Sequence, residues 1–279
     1  PSGRNTGPAI GLACIHVKRR DPNAIVAIMH SDHVMADSVQ FRAALSRAAD
    51  GAREGYIVTL GIQPTSPHTG FGYIECGDQL SIDSDASLPI YSVERFVEKP
   101  DLQTAESFLA GGNYFWNGGI FVSQVERMMA EFERQLPAVF AQLVEIERSL
   151  DNGHSMGQPS LVTAWEAMPS ISIDHGIMEG ANNVAVVPLQ AGWNDIGSWD
   201  ALEAILQRDE TENLVVKGEI STIDSHRNIV YSEKRIVALI GVEDLVVVDT
   251  GDTLLVGHKQ QMQNVKVLVE RLRDQGRFD

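Results

Sequence analysis

An apolar run of strand length, Ala24–Met29, is followed by a helical pattern from about Asp37 to Arg53 and by a second apolar run, Tyr56–Ile62. Two strands joined by a helix of this length run parallel in one sheet, and ligands gather at the loops beyond the strands' carboxyl ends. This single pattern predicts an α/β fold: a Rossmann-like, mostly parallel mixed sheet with helices on both faces. Further strands are predicted at Tyr73–Cys76, Ile90–Val97, Asn113–Val122 and Val184–Leu189. Helices are predicted between them, including a long helical stretch to Leu150 that Pro137 interrupts.

The pattern changes after about Asp209. Short β-rich runs (Ile220–Ile223, Asn228–Tyr231, Ile236–Ile240, Leu245–Asp249, Leu254–Val256) are separated by turns, and a helix is predicted over Gln260–Arg273 with Val265, Leu268, Val269 and Leu272 on one face. The expected organisation is a catalytic domain over residues 1–209 and a small C-terminal β-helix-like domain with a terminal helix over residues 210–279.

Charge narrows the partners. The net charge of −16 offers no basic stripe to neutralise a nucleic-acid backbone. No apolar run reaches the eighteen residues that a membrane span requires. The two cysteines, Cys14 and Cys76, lack metal-type spacing and read as free thiols, and the opening residues do not read as a signal peptide. A cytoplasmic protein is the expectation. An acidic protein that binds phosphorylated small molecules needs local cations or a divalent metal, so basic residues inside motifs carry weight.

Several loops offer such chemistry. Ser2–Gly7 is polar and precedes a helix with Thr6 as a plausible N-cap, where backbone N–H groups attract anions. Asp32 follows the first strand. Glu98 and Lys99 project from a strand end that Pro100 stops, which a solvated surface pair would also explain. Asn117-Gly118-Gly119 interrupts a strand, the mark of a bulge or of close approach by a ligand. Asp195 lies between Gly192 and Gly197, placed either to hold a metal or to cap, with Ser198, a helix over Ser198–Gln207.

In combination these segments carry a resemblance. Ser2-Gly3-Arg4-Asn5-Thr6-Gly7-Pro8-Ala9, Ser31-Asp32-His33, Arg95-Phe96-Val97-Glu98-Lys99-Pro100 and Trp116-Asn117-Gly118-Gly119-Ile120-Phe121 stand in the order found in sugar-phosphate nucleotidylyltransferases. Ile173-Asp174-His175-Gly176-Ile177-Met178-Glu179 and Gly192-Trp193-Asn194-Asp195-Ile196-Gly197-Ser198-Trp199 extend it to essentially the whole chain. The first and last stretches resemble the mannose-1-phosphate guanylyltransferase branch.

The resemblance implies synthesis of GDP-mannose and pyrophosphate from GTP and mannose 1-phosphate. It implies Mg²⁺ held by Asp32 and Asp195, the sugar phosphate bound by Lys99, and sugar hydroxyls met by Glu98, Asn117 and the backbone of Gly72. It places Asn5 and Thr6 in the loop lining the nucleotide base. Lys99, Asp195 and Asp32 are the catalytic set. The alternatives are a non-catalytic nucleotide-sugar-binding protein and a nucleotidylyltransferase for another hexose 1-phosphate. A homodimer is one protein assembly open to it.

Three departures from the family stand out. His30 replaces the usual proline, Ser31 the usual alanine, and Gly118 a common serine. The family's first strand and its glycine-rich, arginine-containing triphosphate loop have no counterpart in these residues. A separately retained N-terminal piece is therefore a further expected partner.

Overall fold

The computed structural model describes residues 2–82, 87–155, 157–197, 199, 202 and 206–277. They divide into two compact units, residues 1–31 with 37–193, and residues 32–36 with 194–279.

The chain opens with α1 (Thr6–Lys18), β1 (Ile25–Ile28) and β2 (Val34–Met35, of the second unit), then α2 (Ser38–Arg53) and β3 (Ile57–Ile62). β4 (Tyr73–Gln79), β5 (Tyr91–Val97), α3 (Leu102–Gly111) and β6 (Tyr114–Gln124) follow. After them come α4 (Val125–Gln135), α5 (Pro137–Asp151), α6 (Pro159–Glu166), the one-turn α7 (Ile173–Gly176) and β7 (Val184–Leu189).

Six of these strands form the sheet of the first unit in the order β1-β6-β3-β7-β5-β4. The predicted strand–helix–strand start is present, and β6 lies between its two strands. β1, β3, β4 and β7 point one way, β5 and β6 the other. The sheet is thus mixed as expected. Because the two reversed strands sit among the others, β3–β7 is its one parallel ladder among the described residues.

Strand alternation explains the two helical layers. Ile57 of β3 packs into the large core with Cys14 of α1, Phe132 of α4 and Leu143 of α5. Its neighbour Val58 points to the other face, where a Cβ on Gly51 of α2 would come within 2.8 Å of Val58 Cγ2. Glycine lets α2 lie close on that face. Asp101 caps α3 through Thr104 N–H, and Gly112 closes it at φ 74°. At α1 the expectation is corrected by one residue: Asn5, not Thr6, is the N-cap, its Oδ1 accepting from Thr6 N at 2.8 Å. Asn5 holds φ 66°, which asparagine tolerates better than threonine.

The second unit contains β2 and the chain from Asn194, the last residue of β8 (Trp193–Asn194), onward. It continues with β9 (Leu214–Ile223), β10 (Ile229–Ile240), β11 (Leu245–Asp249) and β12 (Leu254–His258). β9, β10 and β11 are stacked in parallel, and β12 returns antiparallel. Short connections between parallel strands make this a coil rather than a βαβ sheet, in line with the β-helix expectation. The separately predicted runs Asn228–Tyr231 and Ile236–Ile240 are joined, from Ile229 onward, in one bent strand, with the bend held by Ser232 Oγ donating to Arg235 O at 2.8 Å.

A 3₁₀ segment, Lys259–Asn264, precedes the terminal helix α8 (Val265–Asp274), which therefore starts later than predicted. Val265, Val269 and Leu272 are half-buried, while Leu268 of the same predicted face is exposed. Much of the helix predicted over residues 198–207 lies outside the described residues, Ser198 included.

Candidate active site

Four of the expected residues converge at one end of the first unit's sheet. β6 brings Asn117 opposite Gly61 of β3, and its backbone N–H donates to Gly72 O at 2.8 Å just before β4 begins. A Cβ on Gly72 would lie 2.5 Å from Glu98 Oε2 and 3.3 Å from Asn117 Cβ. Glu98 follows the last residue of β5, its side chain only 9% exposed, and its Oε1 accepts from Lys99 Nζ at 2.9 Å. Lys99 itself is 62% exposed and holds φ 47°. The turn at Pro100 thus carries the ammonium outward while the carboxylate stays inside.

This pairing fixes the charge state of the lysine. The hydrogen bond to Glu98, then the Glu98 charge and that of Asp174, raise the Lys99 pKa above the ordinary 10.5, against an opposing effect of burial. A permanent cation beside a neutral amide and a carboxylate is suited to a phosphate monoester bearing hydroxyl groups.

Asn117 is held on three sides. Its Oδ1 accepts from Gly119 N at 3.0 Å and from Thr59 Oγ1 at 3.4 Å, and its Nδ2 donates to Asp174 Oδ1 at 2.8 Å. Asp174 stands in the resemblance, but neither charge pattern nor spacing gives it a task. Also unanticipated is an aromatic group beside Gly72. Phe71 stacks on His68 at 4.0 Å and meets Trp116 and Trp193 edge-on at 5.1 and 5.4 Å. The signal was in the composition of the stretch, but aromatic residues at unrelated chain positions do not announce a shared wall.

Asn5 and Thr6 reach the same unit from its start. The loop is anchored by Trp165 Nε1 donating to Ser2 O at 2.8 Å and by Gly7 N donating to Ile171 O at 3.0 Å. Thr6 Oγ1 accepts from Ile173 N at 2.9 Å, which places the loop next to the segment carrying Asp174.

Asp32 and Asp195 both belong to the second unit. Asp32 is exposed and Asp195 half-buried. Asp195 Oδ1 accepts from Gly197 N at 3.1 Å, and a Cβ on Gly197 would stand 2.8 Å from Asp195 Oδ2. Glycine therefore keeps the space beside that oxygen open. Hard carboxylate oxygens with free lone pairs fit a hard divalent cation in kind.

The mixed sheet between helical layers and the parallel β-coil after it are those of a nucleotidyl transferase, and the chain belongs to that family. The Nucleotidyl transferase model matches residues 1–212, and that of the MannoseP isomerase/GMP-like beta-helix domain matches residues 218–272. Within the family, the chain is similar to the xanthan biosynthesis protein XanB of Xanthomonas campestris pv. campestris (strain B100), with 38% identity over 281 residues. It is 36% identical over 281 residues to the mannose-1-phosphate guanylyltransferase of Escherichia coli (strain K12). Both alignments cover 100% of this chain and only 57% and 58% of the relatives. Among solved structures, that of mannose-1-phosphate geranyltransferase from Thermus thermophilus matches with a TM-score of 0.82 and 34% identity, covering 98% of this chain and 76% of that one. The resemblance seen in the motifs is thereby carried over the whole chain.

Proposed function

We propose that this chain is the nucleotidyl-transfer part of an enzyme that makes GDP-mannose and pyrophosphate from GTP and mannose 1-phosphate. The observation that carries this reading is the convergence of Gly72, Glu98, Lys99 and Asn117 at one end of the sheet, with Asn117 bonded to Asp174 and the adjacent Ile173 bonded to Thr6 of the start loop. Similarity to the guanylyltransferase of Escherichia coli supports mannose and guanine as the specific groups. In domain terms, residues 1–209 carry the reaction and residues 210–279 form the β-helix appendage.

A phosphate oxygen of the sugar phosphate forms a bond to the α-phosphorus of GTP, and the bond from that phosphorus to the β-phosphate oxygen breaks. Pyrophosphate departs with the electron pair. The attacking oxygen is already anionic, so no general base is needed, and positioning with charge neutralisation supplies the rate. Lys99 holds the attacking phosphate. Glu98 accepts hydrogen bonds from sugar hydroxyls, Asn117 donates an amide N–H, and Asn5 and Thr6 face the base. Asp32 and Asp195 would hold Mg²⁺, which when bound neutralises charge on the nucleotide phosphates.

We also infer that the sheet takes up one more strand. β1 is an edge strand among the described residues, and beside it runs an apolar groove of about 400 Å³ lined by Ile10, Ala13, Cys14 and Val17 of α1 with Val26 and Ile28 of β1. An extended apolar segment pairing with β1 would fill the groove, and the resemblance assigns that segment the triphosphate loop.

The direct test is incubation with GTP, mannose 1-phosphate and Mg²⁺, following GDP-mannose and pyrophosphate. Equal use of glucose 1-phosphate would move the reading to another hexose. Tight binding of GDP-mannose without turnover, with the full-length protein in hand, would leave a binding protein instead.

A further inference from the structure

The amide of Asn117 is committed at both ends. Its oxygen accepts from Gly119 N and Thr59 Oγ1, and one of its two N–H groups donates to Asp174 Oδ1. Flipping the amide would turn its oxygen onto a carboxylate, so the orientation is fixed by Asp174 rather than free to follow a ligand. One N–H remains for an oxygen of the sugar phosphate.

Asp174 is itself held in place. It lies in the single turn of α7, where Ser172 Oγ accepts from His175 N at 3.3 Å. The preceding residue, Ile173, is buried and donates its N–H to Thr6 Oγ1 at 2.9 Å. A Cβ on Gly7 would fall 2.7 Å from Ile171 O, so the strand of loop entering α1 lies directly on this segment. Two adjacent residues, Ile173 and Asp174, therefore join the loop assigned to the base to the amide assigned to the sugar.

We propose that Asp174 is a positioning residue of the sugar-phosphate subsite, which orients the Asn117 amide and, through Ile173, ties that orientation to Thr6 in the nucleotide loop. The proposal rests on the nucleotidyl-transfer reading above. The Asp174 charge acts in the same sense on Lys99, helping after Glu98 to keep it protonated. Seating a base against the loop then sets the sugar site, without direct contact between the two substrates.

The test compares Asp174→Ala, Asp174→Asn and Thr6→Val in the active full-length protein. Asp174→Ala should raise the KM for mannose 1-phosphate about tenfold or more while the KM for GTP moves less than about twofold. Asparagine keeps an oxygen that accepts from Asn117, so Asp174→Asn should return the KM to within about threefold of the parent. Thr6→Val, which removes the acceptor for Ile173 N, should raise the KM for the sugar phosphate as well as affecting the nucleotide. A second readout needs no turnover. The Asn117 side-chain amide in a ¹⁵N spectrum should show one proton protected from exchange in the parent and in Asp174→Asn, and none in Asp174→Ala. Unchanged sugar-phosphate KM and unchanged Asn117 protection in Asp174→Ala would overturn the proposal, as would equal damage from both Asp174 variants. Absence of GDP-mannose synthesis in the parent defeats the underlying reading instead, and the amide spectrum still decides the role of Asp174.

Discussion

Gly72 and Glu98 share one space: a Cβ on the glycine would sit 2.5 Å from the glutamate's Oε2. The obstructed atom is the end of a flexible side chain, so Gly72→Ala should displace the carboxylate rather than the backbone. The expected outcome is a fall in kcat/KM of about tenfold, equivalent to about 1.4 kcal/mol, with a small change in Tm. Wild-type kinetics in this variant would show that the Glu98 carboxylate has no part in binding the sugar.

Lys99 offers the sharpest test of the sugar-phosphate site. Its side chain is largely exposed, so removing it should leave stability almost intact. Loss of a charge-assisted bond to phosphate costs about 1.5–3 kcal/mol, a factor of roughly ten to a hundred. Lys99→Ala should therefore raise the KM for the sugar phosphate by that factor and lower turnover. Because Glu98 raises the lysine's pKa above 10.5, the parent should show no loss of sugar-phosphate affinity from this group as pH rises from neutrality toward that value. An affinity that falls across that range in the parent but not in the alanine variant would contradict the pairing.

The metal assignment concerns two carboxylates of the second unit. Amide oxygens are poorer ligands for a hard cation, so Asp32→Asn and Asp195→Asn should each shift the Mg²⁺ dependence of turnover to higher concentration while Tm holds. Normal Mg²⁺ titrations in both would remove the pair from the reaction.

Glu131 predicts a pH-dependent stability. It is 1% exposed on α4, paired with Arg127 and Arg134, and hydrogen-bonded by Gln135. The donors also bond the chain after α7: Arg127 to Asn182 O, Arg134 to Gly180 O and Gln135 to Ile177 O. Burial alone would raise the carboxyl's pKa, but hydrogen bonds from Arg134, Gln135 and Arg127 hold it below the ordinary 4.5. A depressed folded-state pKa means stability that is present above the unfolded value and lost as pH falls through the folded one. Removing one partner of such a buried set costs about 3–5 kcal/mol. Glu131→Ala should lower Tm strongly at neutral pH, with the gap to the parent narrowing in denaturation measured below about pH 4. A gap independent of pH would make Glu131 a matter of packing alone.

The α/β character was legible because strands β1 and β3 and helix α2 are local patterns, written in the hydrophobic period. The residues of the candidate site were legible for a different reason. Glu98-Lys99-Pro100 and Asn117-Gly118-Gly119 carry chemistry within a few residues. What escaped was set by tertiary packing. β6 enters the sheet between β1 and β3, and no local period encodes a strand's neighbours. Asp174 gains its role from Asn117, 57 residues away. Asn5 displaced Thr6 as the cap because both residue types serve, and the turn geometry chose between them.

The β-coil rests on two asparagines that the sequence does not distinguish from loop residues. Asn213 and Asn228 are fully buried, and Asn228 Nδ2 donates to Asn213 Oδ1 at 3.0 Å and to Val242 O at 3.2 Å. Asn228 Oδ1 in turn accepts from Leu245 N at 3.0 Å, and Asn213 Nδ2 donates to Ser225 O at 2.9 Å. Each asparagine thus satisfies backbone groups where the chain turns into the next strand, which is why both are amides and neither is an acid. Asn228→Ala would take the Asn228 acceptor from the Leu245 N–H, at about 1–3 kcal/mol if the group stays buried, while the Val242 carbonyl keeps its bond from His226 N at 3.1 Å. Asn228→Asp keeps the acceptor for Leu245 but sets a carboxylate against two oxygens. Its damage should grow as pH rises through the range where the buried acid ionises, since a protonated acid can still donate one bond. Thermal unfolding of the full-length protein at several pH values measures both. Equal Tm for the parent and Asn228→Ala would show that the stacked strands stand without the amide ladder.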